Sequence, residues 1–398
     1  MYPVLLFCMM TPCLGLQSRH PVLIIPAFGG SSLQQTTSTS ISLPLGCQAL
    51  SIRKLWFDLA NFIAPVCSLY KVKLNYDRRR RTSIPNPGVR VRVVPDIPGI
   101  LSVAPPLPEM AADFDVMVSS LQVLGYMREQ DLRAAPYDWR YSINGLGRWM
   151  KETKRKIESM YTMNGNKSVI IVTCSIGSIN TYVFLKKQSP SWNNKYIRSL
   201  ILMSSPFGGS FRFVHLYFTV NEVLLPVFTP AQRSFPVCPF LLPRPAVAGR
   251  RVLVTTSRQQ YTAEDYGALF SDLNRTDSYF QFEDAMKAYD GNNISSPGDM
   301  SIYCMMGVGS PTRASAFIPG RLAPYVAGIQ YTHENGDMVV GLPSLTKCND
   351  LGKGKKNFAS ISFPGVTHGG IVRDPIPVAV VTSIINSIND GTESFSRR

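Results

Sequence analysis

A chain of 398 residues that is 45% hydrophobic and 17% charged can bury a large core, which excludes disorder and fibrous structure. Its net charge of +15 draws anions, so anionic lipid surfaces, a phospholipid membrane or lipoprotein surface among them, or polyanions are the candidate partners; no recognition module is in view, and nucleic acid is the weaker choice and is set aside. The length admits one large α/β domain or two ordinary ones, and a single domain with insertions is expected.

In chain order, "MYPVLLFCMMTPCLGL" at residues 1–16 has the length, apolarity and small terminal residues of a signal peptide, although no basic residue precedes the apolar run. A buried strand or a short anchor is the competing reading. No later segment reaches the ~18 uncharged apolar residues of a membrane-spanning helix. A soluble protein of the secreted or lysosomal lumen is therefore expected. Three sequons fit that compartment, at Asn166, Asn274 and Asn293. Loss of residues 1–16 leaves Cys47, Cys67, Cys174, Cys238, Cys304 and Cys348, and an oxidising lumen favours Cys47–Cys67 and Cys304–Cys348 pairs closing moderate loops. No Cys-x-x-Cys or histidine cluster suggests a metal, and no cofactor is expected. The run Arg78-Arg79-Arg80-Arg81 reads equally as a solvated loop and as an anion-facing patch.

"HPVLIIPAFGG" is an apolar strand that breaks at Ala27-Phe28-Gly29-Gly30. "SVIIVT", "SLILMSS", "SIYCMM" and "FASISF" are further buried strands, too apolar to alternate, as parallel strands covered on both faces should be. Helical patterns lie between them in "GRWMKETKRKIESMY" and "INTYVFLKKQ". The alternation predicts an α/β fold with a mostly parallel sheet. Proline-rich residues 210–298 interrupt it and read as an inserted cap, dividing the core into residues 17–209 and 299–398.

In Thr173-Cys174-Ser175-Ile176-Gly177 a strand halts at a serine and a helix follows, the arrangement of a nucleophile elbow that keeps only the second glycine of Gly-x-Ser-x-Gly. An ordinary strand-to-helix turn is the alternative. A nucleophilic Ser175 needs a base, and in this fold class the order along the chain is serine, acid, histidine. Of the four histidines His20 precedes the serine, and His215 lies in the aromatic run "FRFVHLYF", which reads as packing. His368, in "FPGVTHGG" after a strand, is the expected base, with His333 as second candidate; Asp337 is the candidate orienting acid, and an ordinary turn residue in Asn335-Gly336-Asp337 is its alternative reading. The amides of Phe28 and Ile176 are the expected oxyanion donors, and a plain Gly29-Gly30 turn is the alternative reading of the first loop.

"HPVLIIPAFGGSSL", "RAAPYDWRYS", "CSIGSINTYVFL", "QQYTAEDYGALFSDL", "NGDMVV" and "PGVTH", in this order, resemble the blocks of the lecithin:cholesterol acyltransferase family, which includes lysosomal phospholipase A2. The Ala-Pro-Tyr-Asp-Trp-Arg match is the most specific. The resemblance implies an α/β-hydrolase fold with cap and lid, and a triad of Ser175, Asp337 and His368 with Phe28 and Ile176 as oxyanion amides. It also implies Cys47–Cys67 around a lid, residues 47–67, carrying Trp56 and Phe57 toward a membrane or into lid packing, and Cys304–Cys348. Asp138 and Arg140 read as a structural ion pair. The family's Ala-His before the serine is here Thr173-Cys174, its Pro-Gly is Pro26-Ala27, and Asn335 replaces the first aspartate of Asp-Gly-Asp. These departures remove no member of the triad.

The expected activity is a serine-dependent acyl hydrolase or acyltransferase. It would cleave a glycerophospholipid ester and pass the acyl chain to water or to a lipid alcohol such as a sterol. A catalytically inert luminal lipid-binding protein on the same fold is the alternative, and an esterase of small soluble substrates is a third reading.

Overall fold

The computed structural model describes residues 19–37, 65–101, 113–219, 229–289, 291–323 and 325–395. The expected signal peptide, Cys47, Trp56 and Phe57 lie outside the described residues. The central sheet is built from β1 (Val22–Ile25), β2 (Leu132–Ala134), β3 (Val169–Cys174), β4 (Ile197–Met203), β5 (Ser301–Val308) and β6 (Phe358–Pro364), in the spatial order β6-β5-β4-β3-β1-β2. Every pairing in it is parallel. All residues of β1 and β3 are buried, which explains why their sequences run apolar without alternation.

The side chains still alternate between layers. Leu23 and Ile25 enter a core with Trp139, Trp149 and Phe184, whereas Val22 and Ile24 enter one with Met117, Val118 and Val381. On the first face, α1 (Gly147–Met163) buries Trp149, Met150, Thr153, Ile157 and Met160, a stripe at helical spacing. Beside it, α2 (Ile176–Lys186) is buried all round from Ile176 to Leu185 and so shows no amphipathic stripe. On the second face the last helix, α3 (Pro375–Asp390), buries Val378, Val381, Ile384, Ile385 and Ile388.

After β1 the chain crosses to β2 on one side and returns through α1 to β3 on the other, so the order reverses between β1 and β3. The crevice beyond the carboxyl ends of such strands is where open α/β sheets bind ligands. This topology, with helices on both faces, is the α/β-hydrolase fold.

A second sheet of four strands joins Gln260–Tyr261, Val254–Thr256, Ser310–Ile318 and Gln330–Gly336. It draws strands from both sides of residue 298, the expected cap boundary, because Ala316, Phe317 and Ile318 pair with Val254, Thr255 and Thr256. Cys304 on β5 is disulfide-bonded to Cys348, enclosing 44 residues of separation that include this hairpin. Cys67 is also disulfide-bonded. Among the described residues Cys174 and Cys238 are free and buried.

Arg78, Arg79 and Arg80 are exposed and Arg81 is half-buried; Arg78 pairs with Asp277 at 2.6 Å and Arg81 with Asp284 at 2.7 Å, both on the helix Thr276–Met286, and Arg80 lies 3.8 Å from Asp77. The sequon asparagines Asn166, Asn274 and Asn293 are all exposed.

Candidate active site

Ser175 stands between the end of β3 and the start of α2 with φ 55° and ψ −131°. A serine in that conformation is strained, and the neighbouring bonds hold it. Its N–H donates to the Met203 carbonyl at 2.9 Å, and its own carbonyl accepts from Ser178 at 3.0 Å. Gly177 is required here: a Cβ at this position would collide with the carbonyls of Pro26 and Ile25, so only glycine lets α2 start against the end of β1. Thr173, bulkier than alanine, fits because its hydroxyl bonds Ser178 at 2.7 Å, and Ser178 in turn accepts from Ser205 at 2.7 Å. Cys174 is wholly buried beneath the turn, and burial pushes its thiol well above the ordinary range, so it offers no competing thiolate.

His368 follows β6 on a short loop, and its Nε2 lies 2.9 Å from Ser175 Oγ. Its Nδ1 lies 2.7 Å from Asp337 Oδ2. A backbone bond from His368 N–H to the Asp337 carbonyl, at 2.9 Å, fixes the two loops to each other. Asp337 is fully buried and its Oδ1 accepts from the amides of Val339 at 3.1 Å and Val340 at 2.7 Å, so the carboxylate is oriented by main chain on one oxygen and faces the imidazole with the other. With Nδ1 bonded to a carboxylate, Nε2 is left to accept the serine proton. The arrangement can therefore raise the nucleophilicity of Ser175 toward an ester carbonyl.

Phe28 lies in the loop after β1, half-buried, its ring 5.0 Å from that of Trp139 and 6.0 Å from that of Phe213. Ile176 is the first residue of α2. Among the described residues neither amide N–H donates to another group, which leaves both available to a developing oxyanion.

The structure thus brings together Ser175, His368 and Asp337 from three loops at one end of the sheet. His333 is exposed on the strand Gln330–Gly336, and His215 is buried with Arg313 3.3 Å away; neither bonds Ser175. Asp138 and Arg140 form an ion pair at 2.7 Å. Sequence reasoning missed the hydroxyl chain Thr173–Ser178–Ser205 and the amides of Val339 and Val340, for which nothing in the spacing of residues gives a signal.

Residues 52–295 match the family model described as lecithin:cholesterol acyltransferase. Similar proteins include lysosomal phospholipase A and acyltransferase of Rattus norvegicus, 28% identical over 404 residues that cover 97% of this chain and 95% of that protein. The Homo sapiens protein of the same name is 28% identical, covering 87% and 85%. The phosphatidylcholine-sterol acyltransferase of Gallus gallus is 27% identical, covering 89% and 87%. Among solved structures, a chain of the Tle4–Tli4 complex shares the fold with a TM-score of 0.57 at 11% identity, over 94% of this chain and 99% of that one. The fold and the family match over more than half of the sequence agree: this chain belongs to the lecithin:cholesterol acyltransferase family.

Proposed function

We propose that this protein is a serine-dependent phospholipid acyl hydrolase and acyltransferase with Ser175, His368 and Asp337 as its triad. The continuous hydrogen-bonded path from Ser175 Oγ through the imidazole to Asp337, at 2.9 Å and 2.7 Å, carries this reading. His368 Nε2 takes the Ser175 proton as Oγ attacks the ester carbonyl of a glycerophospholipid. The Phe28 and Ile176 amides hold the oxyanion, and the imidazolium returns the proton to the leaving lysolipid alcohol. Water or a lipid alcohol, a sterol among the candidates, then attacks the acyl-enzyme with His368 as base. The relatives named above, a phospholipase A and acyltransferase and a phosphatidylcholine-sterol acyltransferase, support the substrate class.

A lid over residues 47–67, with Trp56 and Phe57 set against the lipid surface, would exclude water and favour alcohol acceptors. The +15 charge supports recruitment to anionic phospholipid. A secreted or lysosomal location fits the named relatives, and among the described residues no helix is long and apolar enough to cross a membrane. The test is incubation with labelled phosphatidylcholine vesicles, with and without sterol, alongside fluorophosphonate labelling. Acyl release or transfer, and labelling, both lost in Ser175→Ala, are expected. A folded wild-type protein that neither labels nor releases acyl chain is instead a lipid carrier.

A further inference from the structure

The Tyr-Asp-Trp-Arg segment, residues 137–140, is the part of the sequence signature to which the proposed chemistry assigns no task. Its side chains alternate. Asp138 and Arg140 pair with each other, and Arg140 also donates to the Val72 carbonyl at 3.0 Å, at the end of the helix Pro65–Val72. Tyr137 and Trp139 serve the loop after β1 instead. The Tyr137 hydroxyl donates to the Pro26 carbonyl at 2.8 Å, and its backbone N–H donates to Ser31 Oγ at 3.1 Å. The Trp139 indole N–H donates to the Ser31 carbonyl at 3.0 Å, with its ring edge-on to Phe28. Between these anchors, Ala27–Gly30 form a turn closed by a 3.0 Å bond from Gly30 N–H to the Ala27 carbonyl, with Gly29 at φ +73° as a type II turn demands at that position.

The Pro26 carbonyl is held from two sides. On one is the Tyr137 hydroxyl; on the other is the first turn of α2, packed so closely that Gly177 can carry no side chain. Phe28 follows this carbonyl by two residues, and Ile176 precedes Gly177. The contact between Pro26 and Gly177 is therefore the seam across which the two oxyanion amides keep their separation. Burial raises the Tyr137 phenol far above its ordinary value, so it remains a neutral donor throughout the working pH range.

We propose that Tyr137, together with Ser31 and Trp139, is a positioning residue for the oxyanion site, tying the Pro26 peptide against the Ile176–Gly177 turn so that the Phe28 amide is aimed where negative charge develops. The inference rests on the serine-ester reading above. A donor aimed at the transition state contributes little to substrate binding, so its misplacement lowers kcat and leaves KM.

The test uses the full chain carrying Tyr137→Phe, which deletes only the hydroxyl, with a soluble short-chain p-nitrophenyl ester and a trifluoromethyl ketone as transition-state analogue. A fall in kcat of about 10- to 100-fold is expected. KM should stay within about two-fold, and analogue affinity should fall in parallel with kcat. A folded Tyr137→Phe protein with kcat within about two-fold of wild type, or with its loss confined to KM, overturns the proposal. If Tyr137→Phe does not fold, Ser31→Ala removes one bond across the same loop, and a loss of about three-fold or more in kcat at unchanged KM is expected; unchanged kcat overturns it. Wild-type protein inert to the ester and to fluorophosphonate overturns the serine reading and this proposal together. Active wild type with an unaffected variant overturns this proposal alone.

Discussion

Two buried aspartates, Asp337 in the hydrogen-bonded path from Ser175 and Asp96 near the sheet edge, solve the same desolvation problem in different ways. Asp96 accepts from Arg133 at 2.6 Å and Lys156 at 2.8 Å on one oxygen, and from the amides of Ala134 at 2.7 Å and Ile97 at 3.1 Å on the other. Burial alone would raise its carboxyl, but Lys156, the Ala134 amide and Arg133 outweigh burial and hold it below the usual carboxylate range. Among the described residues Asp337 pairs with no Lys or Arg: two amides take one oxygen, and the other faces an imidazole. Permanent positive charge makes Asp96 a lock joining β2 to α1. A partner that carries charge only while it holds a proton suits Asp337 to the proposed mechanism, in which it stabilises a transient imidazolium. The difference between structure and chemistry here lies in the partner, since both carboxylates are buried and both are bonded by main chain.

Substitutions should separate the two aspartates. In Asp337→Asn the imidazole loses its orienting charge and acyl release from phosphatidylcholine vesicles should fall about 10⁴-fold, with the urea midpoint little changed. Asp96→Ala should do the converse, leaving two half-buried cations without their carboxylate and costing about 1–3 kcal/mol in urea unfolding, while kcat of the folded fraction holds. Acid sharpens the contrast. Because the folded-state pKa of Asp96 lies below its unfolded value of about 3.9, its contribution is complete above that pH and is lost as pH falls through the native value. Unfolding free energy measured from pH 5 to 2 should decline less steeply in Asp96→Asn than in wild type. Arg81→Ala removes a partly exposed partner from Asp284, which keeps Tyr76 and Lys287, and should change stability by about 1 kcal/mol. The smallest effect is expected for His333→Ala, which should retain most acyl release where His368→Ala retains none; equal loss in both would reassign the base.

β1 and β3 were legible because strands covered on both faces are mostly apolar, whereas β2, three residues with Arg133 at its centre, carries too short and too polar a pattern to be read as a strand. The candidate site was legible through scarcity: four histidines and a fixed chain order leave few bases for Ser175. What the sequence did not disclose is long-range. The pairing of Val254–Thr256 with Ala316–Ile318 joins two segments that local composition assigns to different parts of the molecule. The bond from Tyr137 to Pro26 spans 111 residues, and no periodicity announces it. The start of α2 escaped its pattern because a helix buried on every side has no polar face to mark its phase.

The bridge from Cys304 to Cys348 closes a covalent ring around Asp337. Ring closure over this span removes unfolded-chain entropy worth about 4 kcal/mol. One anchor is on β5 in the sheet, so the carboxylate's loop is tethered at both ends even when its hydrogen bonds open. Both cysteines are buried, which shields the bridge from soluble thiols, and without it the hydrogen bonds between Asp337 and His368 would be the main hold on that loop.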